Sequence, residues 1–253
     1  MRSGVRRYLP SALLLAAFVA AWQAGATYAG IDNLLVASPA EAARALWEDR
    51  SLLLDNAGVT LLEVLLGLGL ALLFGAGAAV AMHLVRPVRE AAYPLLVASQ
   101  AVPIAVVAPL FVLAFDYGIG PKIAIVALVC FFPVTVSLLG GLRSVPPELL
   151  KLMRSLGARR AATLWKVELP SALPSLFSGI RVAATISVIG AVLGEWAGAD
   201  RGLGRQVLLD NQRLETPRVY AGVVLLTLMA VALFALVALI ERAAMPWRQE
   251  EAA

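Results

Sequence analysis

The sequence predicts an all-α membrane protein with six transmembrane helices, and three observations carry that prediction. The 253-residue chain is 60% hydrophobic and only 15% charged, with mean hydropathy +0.83, far from the usage of soluble domains. Six apolar stretches, 9–27, 60–84, 93–115, 122–142, 173–196 and 219–240, approach the roughly 20 residues that cross about 30 Å of hydrocarbon. Their prolines and glycines suit lipid, where neighbouring helices re-satisfy interrupted backbone. The runs are continuous rather than alternating, which excludes a β-barrel.

The first stretch follows Arg2, Arg6 and Arg7 and ends near Ala24-Gly25-Ala26, the outline of a cleavable signal peptide. Its apolar run exceeds the about 7–15 residues usual there and favours an uncleaved span. Residues 28–59 then form a loop in which Ser38 is placed as an N-cap, Pro39 at N1 and Glu41 at N3 of a helix. Ala42, Ala45, Leu46 and Leu53 share roughly one face of it, so it packs on the spans or lies along the membrane.

The second span carries Gly67, Gly69, Gly75 and Gly77, small residues that let helix backbones approach closely in lipid, within one chain or between two. The third holds Ser99 and Gln100 just ahead of Pro103 and Pro109, and the fourth holds Pro133, Thr135 and Ser137. Interrupted helices of this kind either kink or line a cavity. The fifth contains Ser187 and the pair Gly190 and Gly194, and runs on to Gly198, Gly202 and Gly204, which read as a tight turn. Ser99, Gln100, Thr135, Ser137 and Ser187 are the candidates to face a central path, being polar groups in apolar spans.

Charge sets the expected orientation. Thirteen Lys and Arg fall on the side holding both termini and seven on the other, with Arg181 inside a span, which places the termini in the cytoplasm. The net charge of +4 is then largely topology, and no basic cluster interleaved with aromatics points to nucleic acid. Cys130 is the single cysteine, and no Cys/His spacing suggests a metal. Glu63, Glu195 and His83 sit near span ends, and Arg181 is close enough to one surface to snorkel, so a charge relay across the bilayer finds little support. No GxxxxGK[ST] loop is present, so the chain is not expected to hydrolyse ATP through a P-loop.

Between the fourth and fifth spans lies a polar segment, RSLGARRAATLWKVELPSALP, residues 154–174. Pro146-Pro147 and Glu148 suit a helix start, and Gly157 suits a helix end. A second short helix over about 159–167 is expected to stop ahead of Pro170. Arg159, Arg160 and Lys166 mix there with Leu164 and Trp165. Such a helix either lies on the inner leaflet or forms a compact knob for a protein groove.

Gly157, nine intervening residues, then Val167-Glu168-Leu169-Pro170 resemble the EAA motif of ATP-binding-cassette importer permeases, with Lys151-Leu152-Met153 standing where that motif has Glu-Ala-Ala. The stretches LLLDNAGVTLLEVLLG, PKIAIVALVCFFPVTVSLLGGLRSVPPELLKLMRSLGA and GEWAGADRGLG resemble the permease subgroup for nitrate, sulfonates, taurine or thiamine pyrimidine precursors. ALVCFFPVTV, LMRSLGA and IGAVLGEWAGA resemble its hydroxymethylpyrimidine branch most.

The resemblance implies the six-span type I (MetI-like) importer fold with a cytoplasmic coupling helix, as a multi-pass homodimer in a bacterial inner membrane. It implies two ATPase subunits binding ATP and Mg²⁺, and an external substrate-binding protein. Gly157, Ala158, Arg159, Arg160, Leu164, Trp165, Leu169 and Pro170 would then form the ATPase-coupling element, with no catalytic residue and no cofactor in this chain. An ion-coupled secondary transporter would instead require inverted repeats or a charge relay. A membrane scaffold would need neither a path nor the spacing from Gly157 to Pro170.

Overall fold

Backbone groups in hydrocarbon have no water to bond, so apolar sequence resolves into helix. In the computed structural model, which describes residues 2–28 and 36–246, no strand forms among the described residues. Arg248 of the charge tally lies outside them. The helices are α1 (Arg2–Tyr28), α2 (Pro39–Glu48), α3 (Arg50–Leu84), α4 (Arg86–Ser99), α5 (Ile104–Phe115), α6 (Gly120–Arg143), α7 (Pro147–Ser155), α8 (Arg160–Thr163), α9 (Leu169–Gly198), α10 (Leu203–Gln212) and α11 (Thr216–Ala244).

Among the described residues, four helical stretches are long and apolar enough to cross a membrane: α3, α6, the run Arg160–Gly198, and α11. α1 contributes a shorter apolar stretch, Leu13–Thr27. The span expected over 93–115 is not one helix: α4 and α5 meet at 103°. Pro103 offers no donor and pushes the residue before it out of helical geometry. The chain turns there through tight bonds from the Gln100 N–H to Val97 O (3.1 Å) and from the Val102 N–H to Ser99 O (3.3 Å).

The helix expected from Ser38 onward is also divided. Ser38 caps α2 in a full capping box with Glu41, but α2 ends at Glu48 and α3 starts at Arg50, earlier than the span's apolar edge. Leu53 and Ala57 of α3 pack with Leu203 and Ala221, and Ala45 and Leu46 of α2 join them.

The core is α6 against α9 and α3. Small residues permit it: a side chain at Gly67 would strike Val126, one at Gly75 would press on Thr135 at 3.0 Å, and one at Gly194 would press on the Lys122 Cα at 3.2 Å. Gly69 and Gly77 face open space. Thr60 of α3 meets Glu195 of α9, and His83 near the far end of α3 meets Glu168 just ahead of α9. α3 and α9 are therefore antiparallel and joined by polar contacts at both ends.

The second short helix does not stop ahead of Pro170. α8 passes through a π-helical turn, Leu164–Glu168, directly into α9, the Leu169 N–H reaching Leu164 O five residues back. An α-helix would set the Pro170 ring against the carbonyl of Lys166 and lose that hydrogen bond. The wider turn moves the carbonyl away and lets the helix continue.

Candidate functional site: an exposed elbow, a helix corner and two polar clamps

The polar segment folds into a knob at one end of the bundle. Leu156 caps α7, and the Gly157 N–H bonds Arg154 O at 2.9 Å while the Ala158 N–H bonds Met153 O at 3.0 Å. These are the paired bonds of a Schellman motif. Gly157 has φ +70°, a left-handed conformation that a Cβ disfavours, so glycine fixes the elbow angle here.

The knob's face is apolar as well as basic. Leu152 is 55% exposed, Leu156 71% and Trp165 70%, beside the exposed side chains of Arg154, Arg159 and Arg160. Of the expected coupling residues, Gly157, Arg159, Arg160 and Trp165 are exposed and Ala158 is half-buried. Leu164 is buried and packs with Met82, Leu139 and Leu142, and Leu169 packs against the same cluster. Pro170 lies in the first turn of α9. Leu164 and Leu169 therefore anchor the element while Arg159 and Trp165 stand clear. Leu149 and Leu152 of α7 and its cap Leu156 recur at helical spacing, the sequence signal of this apolar face.

Beneath the knob, Glu168 is 1% exposed and receives two neighbours. The Arg160 guanidinium donates to Oε1, and His83 Nε2 lies 3.1 Å from Oε2. His83 Nε2 is also 3.0 Å from the Arg160 guanidinium. Sequence distance hid this group, because His83 and Glu168 are 85 residues apart and belong to different elements.

The corner between α4 and α5 borders a cavity of about 460 Å³ lined by Ser99, Gln100, Pro103, Leu128, Val129 and Ile186. The Ser99 hydroxyl donates to Leu96 O at 2.7 Å. The other expected path residues lie elsewhere. The Thr135 hydroxyl donates to Phe131 O and that of Ser187 to Ala184 O, both fully buried, and Ser137 packs against Gly179. The structure thus brings Ser99 and Gln100 together and places Thr135, Ser137 and Ser187 in helix packing.

At the opposite end of the bundle Glu63 and Glu195 are fully buried. Lys122 Nζ lies 3.3 Å from Glu63. Glu195 accepts the Thr60 hydroxyl at 2.6 Å and the Arg205 N–H at 2.9 Å. The Leu203 N–H in turn reaches Thr60 Oγ1, and the Gly202 N–H reaches Asn56. Glu63 and Glu195 lie near span ends as expected but are buried and engaged: Glu195, with Thr60 and Asn56, holds the turn before α10 against α3, while Glu63 and Lys122 join α3 to α6. Gly202, at φ +131°, leaves room for the Glu195 carboxylate. Arg181, the cation inside a span, pairs with Glu241 at 2.7 Å.

Residues 71–246 match the family described as binding-protein-dependent transport system inner membrane component. The chain is 34% identical over 230 residues to the formylaminopyrimidine transport permease of Halalkalibacterium halodurans, covering 91% of this chain and 92% of that one. It is 34% identical over 196 residues to the taurine transport system permease of Escherichia coli, covering 78% and 71%. An inward-facing structure of the MetNI methionine ABC transporter superposes with TM-score 0.67 over 77% of this chain and 96% of that chain, at 19% identity, which establishes the shared fold.

Proposed function

The chain belongs to the binding-protein-dependent transport system inner-membrane components, the permease subunits of ATP-binding-cassette importers, and from that premise we propose how it couples and what it carries. The knob between α7 and α9 is the seat of a cytoplasmic ATPase. The observation that carries this is the glycine elbow, a Schellman-capped corner presenting Leu152, Leu156 and Trp165 with flanking arginines. Exposed apolar anchors ringed by charge suit a protein groove. Trp165 and Leu156 enter the groove, and Arg159 and Arg160 meet its rim.

ATP and Mg²⁺ bind on the ATPase pair, and no bond of the cargo is made or broken by this chain. Two copies of the permease enclose the path, the chain ends lie in the cytoplasm, and a soluble protein outside delivers the cargo. The corner at Ser99 and Gln100 borders that path, since a sharply broken helix leaves polar backbone where a cavity can solvate it.

The cargo is a pyrimidine precursor of the hydroxymethylpyrimidine type. Support comes from the near full-length similarity to a formylaminopyrimidine permease and from the pairing of Arg181 with Glu241, which neutralises the cation inside a span. An anionic cargo would gain from an uncompensated cation. The second reading, a permease for taurine, aliphatic sulfonates or nitrate, is favoured by the similarity to the taurine permease.

Isothermal binding to the purified partner binding protein separates them. Hydroxymethylpyrimidine binding with taurine inert is the expected outcome, and taurine or alkanesulfonate binding alone overturns the cargo. Co-purification of the ATPase tests the coupling element itself, and its persistence after Trp165→Ala combined with Leu156→Ala would contradict the assigned seat.

A further inference from the structure

The knob is attached to its span through a π-helical turn, Leu164–Glu168, an interruption of the α-helical ladder of the kind found at functional sites. Leu164 ties the start of the turn to the core beside Met82 of α3. A displacement applied at Trp165 or Leu156 reaches the rest of the bundle through what holds the other end of the turn.

Glu168 is the last residue of that turn, it is 1% exposed, and its two oxygens are held from different elements. Arg160 grips Oε1 from the knob side of the turn, and His83 grips Oε2 from α3. His83 Nδ1 is buried without a partner, a cost that an apolar residue at this place would avoid. The contact of Nε2 with the buried Glu168 carboxylate at 3.1 Å is what offsets that cost. α3 then bears on α6 through the close approaches at Gly67 and Gly75, and Leu128 and Val129 of α6 line the cavity at the α4–α5 corner.

We propose that His83 and Glu168 are positioning residues that pass movement of the coupling knob into α3, with Arg160 completing the clamp. Movement from the ATPase enters at the knob, crosses the π turn at Glu168, and reaches α3 at His83. This inference rests on the proposed seat of the ATPase but is independent of which cargo is carried.

The test is hydrogen–deuterium exchange on the purified permease–ATPase complex, comparing the nucleotide-free state with the state trapped by ATP and vanadate. In the wild type, trapping changes exchange over residues 79–84 as well as 157–163. In His83→Ala and Glu168→Gln the change over 79–84 falls at least about fivefold, the size of a modest inter-site coupling, while that over 157–163 persists. His83→Gln, which keeps a side-chain nitrogen donor, restores most of it. A residue acting only through stability would alter both segments together or reduce the recovered complex. Unchanged exchange at 79–84 in both variants, or parallel loss at both segments, overturns the clamp. Failure of the wild-type chain to co-purify with the ATPase overturns the seat instead.

Discussion

The hydroxyl of Thr60 donates to the carboxylate of Glu195 at 2.6 Å, and the same oxygen receives the Leu203 N–H at 2.8 Å. One side chain on α3 thereby satisfies a buried carboxylate of α9 and the first amide of α10. Thr60→Val keeps the shape and removes both bonds, leaving two buried polar groups unpaired at roughly 1–3 kcal/mol each. A loss of about 2–4 kcal/mol is expected, and unfolding of the purified protein in mixed micelles of increasing SDS fraction measures it. A change below about 0.5 kcal/mol would mean that water replaces the hydroxyl.

Lys122 is 7% exposed and Glu63 is fully buried. Removing one partner of such a pair strands the other, typically at about 3–5 kcal/mol, whereas replacing both is far less costly. Lys122→Met is therefore expected to destabilise strongly, and Lys122→Met with Glu63→Gln to recover most of the loss. The same unfolding assay, arranged as a double-mutant cycle, gives the coupling directly.

Gly157→Ala isolates the elbow, because a Cβ there meets nothing within 4 Å and the only obstacle is the left-handed φ of +70°. Holding alanine there costs about 1–2 kcal/mol, so the corner opens or is populated less. Membrane insertion is expected to be normal, while ATPase co-purification falls about tenfold, equivalent to about 1.4 kcal/mol. A wild-type amount of bound ATPase would show that the elbow angle does not govern docking.

Glu41 titrates below its ordinary value of 4.5, chiefly because the Ser38 backbone N–H and then its hydroxyl hydrogen-bond the carboxylate. A depressed carboxylate contributes stability that is present above its unfolded value and lost as pH falls through the folded one. Amide exchange in residues 39–48 is thus expected to accelerate as pH drops from about 5 to about 3, beyond the intrinsic pH effect on exchange. In Glu41→Gln, which has no carboxylate to titrate, that extra acceleration disappears. Equal pH dependence in the two proteins would contradict the capping box as its source.

Periodicity and turn chemistry carried the local features: the apolar runs, the Ser38 cap and the Gly157 elbow each follow from residues adjacent in sequence. What depends on meetings between distant segments stayed hidden. Pro170 reads as a helix stop from its neighbours alone, yet anchoring of Leu164 and Leu169 in the core makes a widened turn preferable to a break. Thr135 and Ser187 read as path-lining from polarity, yet in the fold both are fully buried between packed helices. The pairings of Glu63 with Lys122 and His83 with Glu168 have no local signal, because their partners sit on separate helices.

The Lys122–Glu63 pair also bears on how the protein comes into being. α3 is synthesised before α6, so Glu63 is already in place when Lys122 follows. A lone ammonium entering hydrocarbon costs up to about 2.5–3.5 kcal/mol on insertion scales, and a waiting carboxylate offsets that charge. α6 then inserts most readily against α3, and the glycines facing it admit the close contact at once.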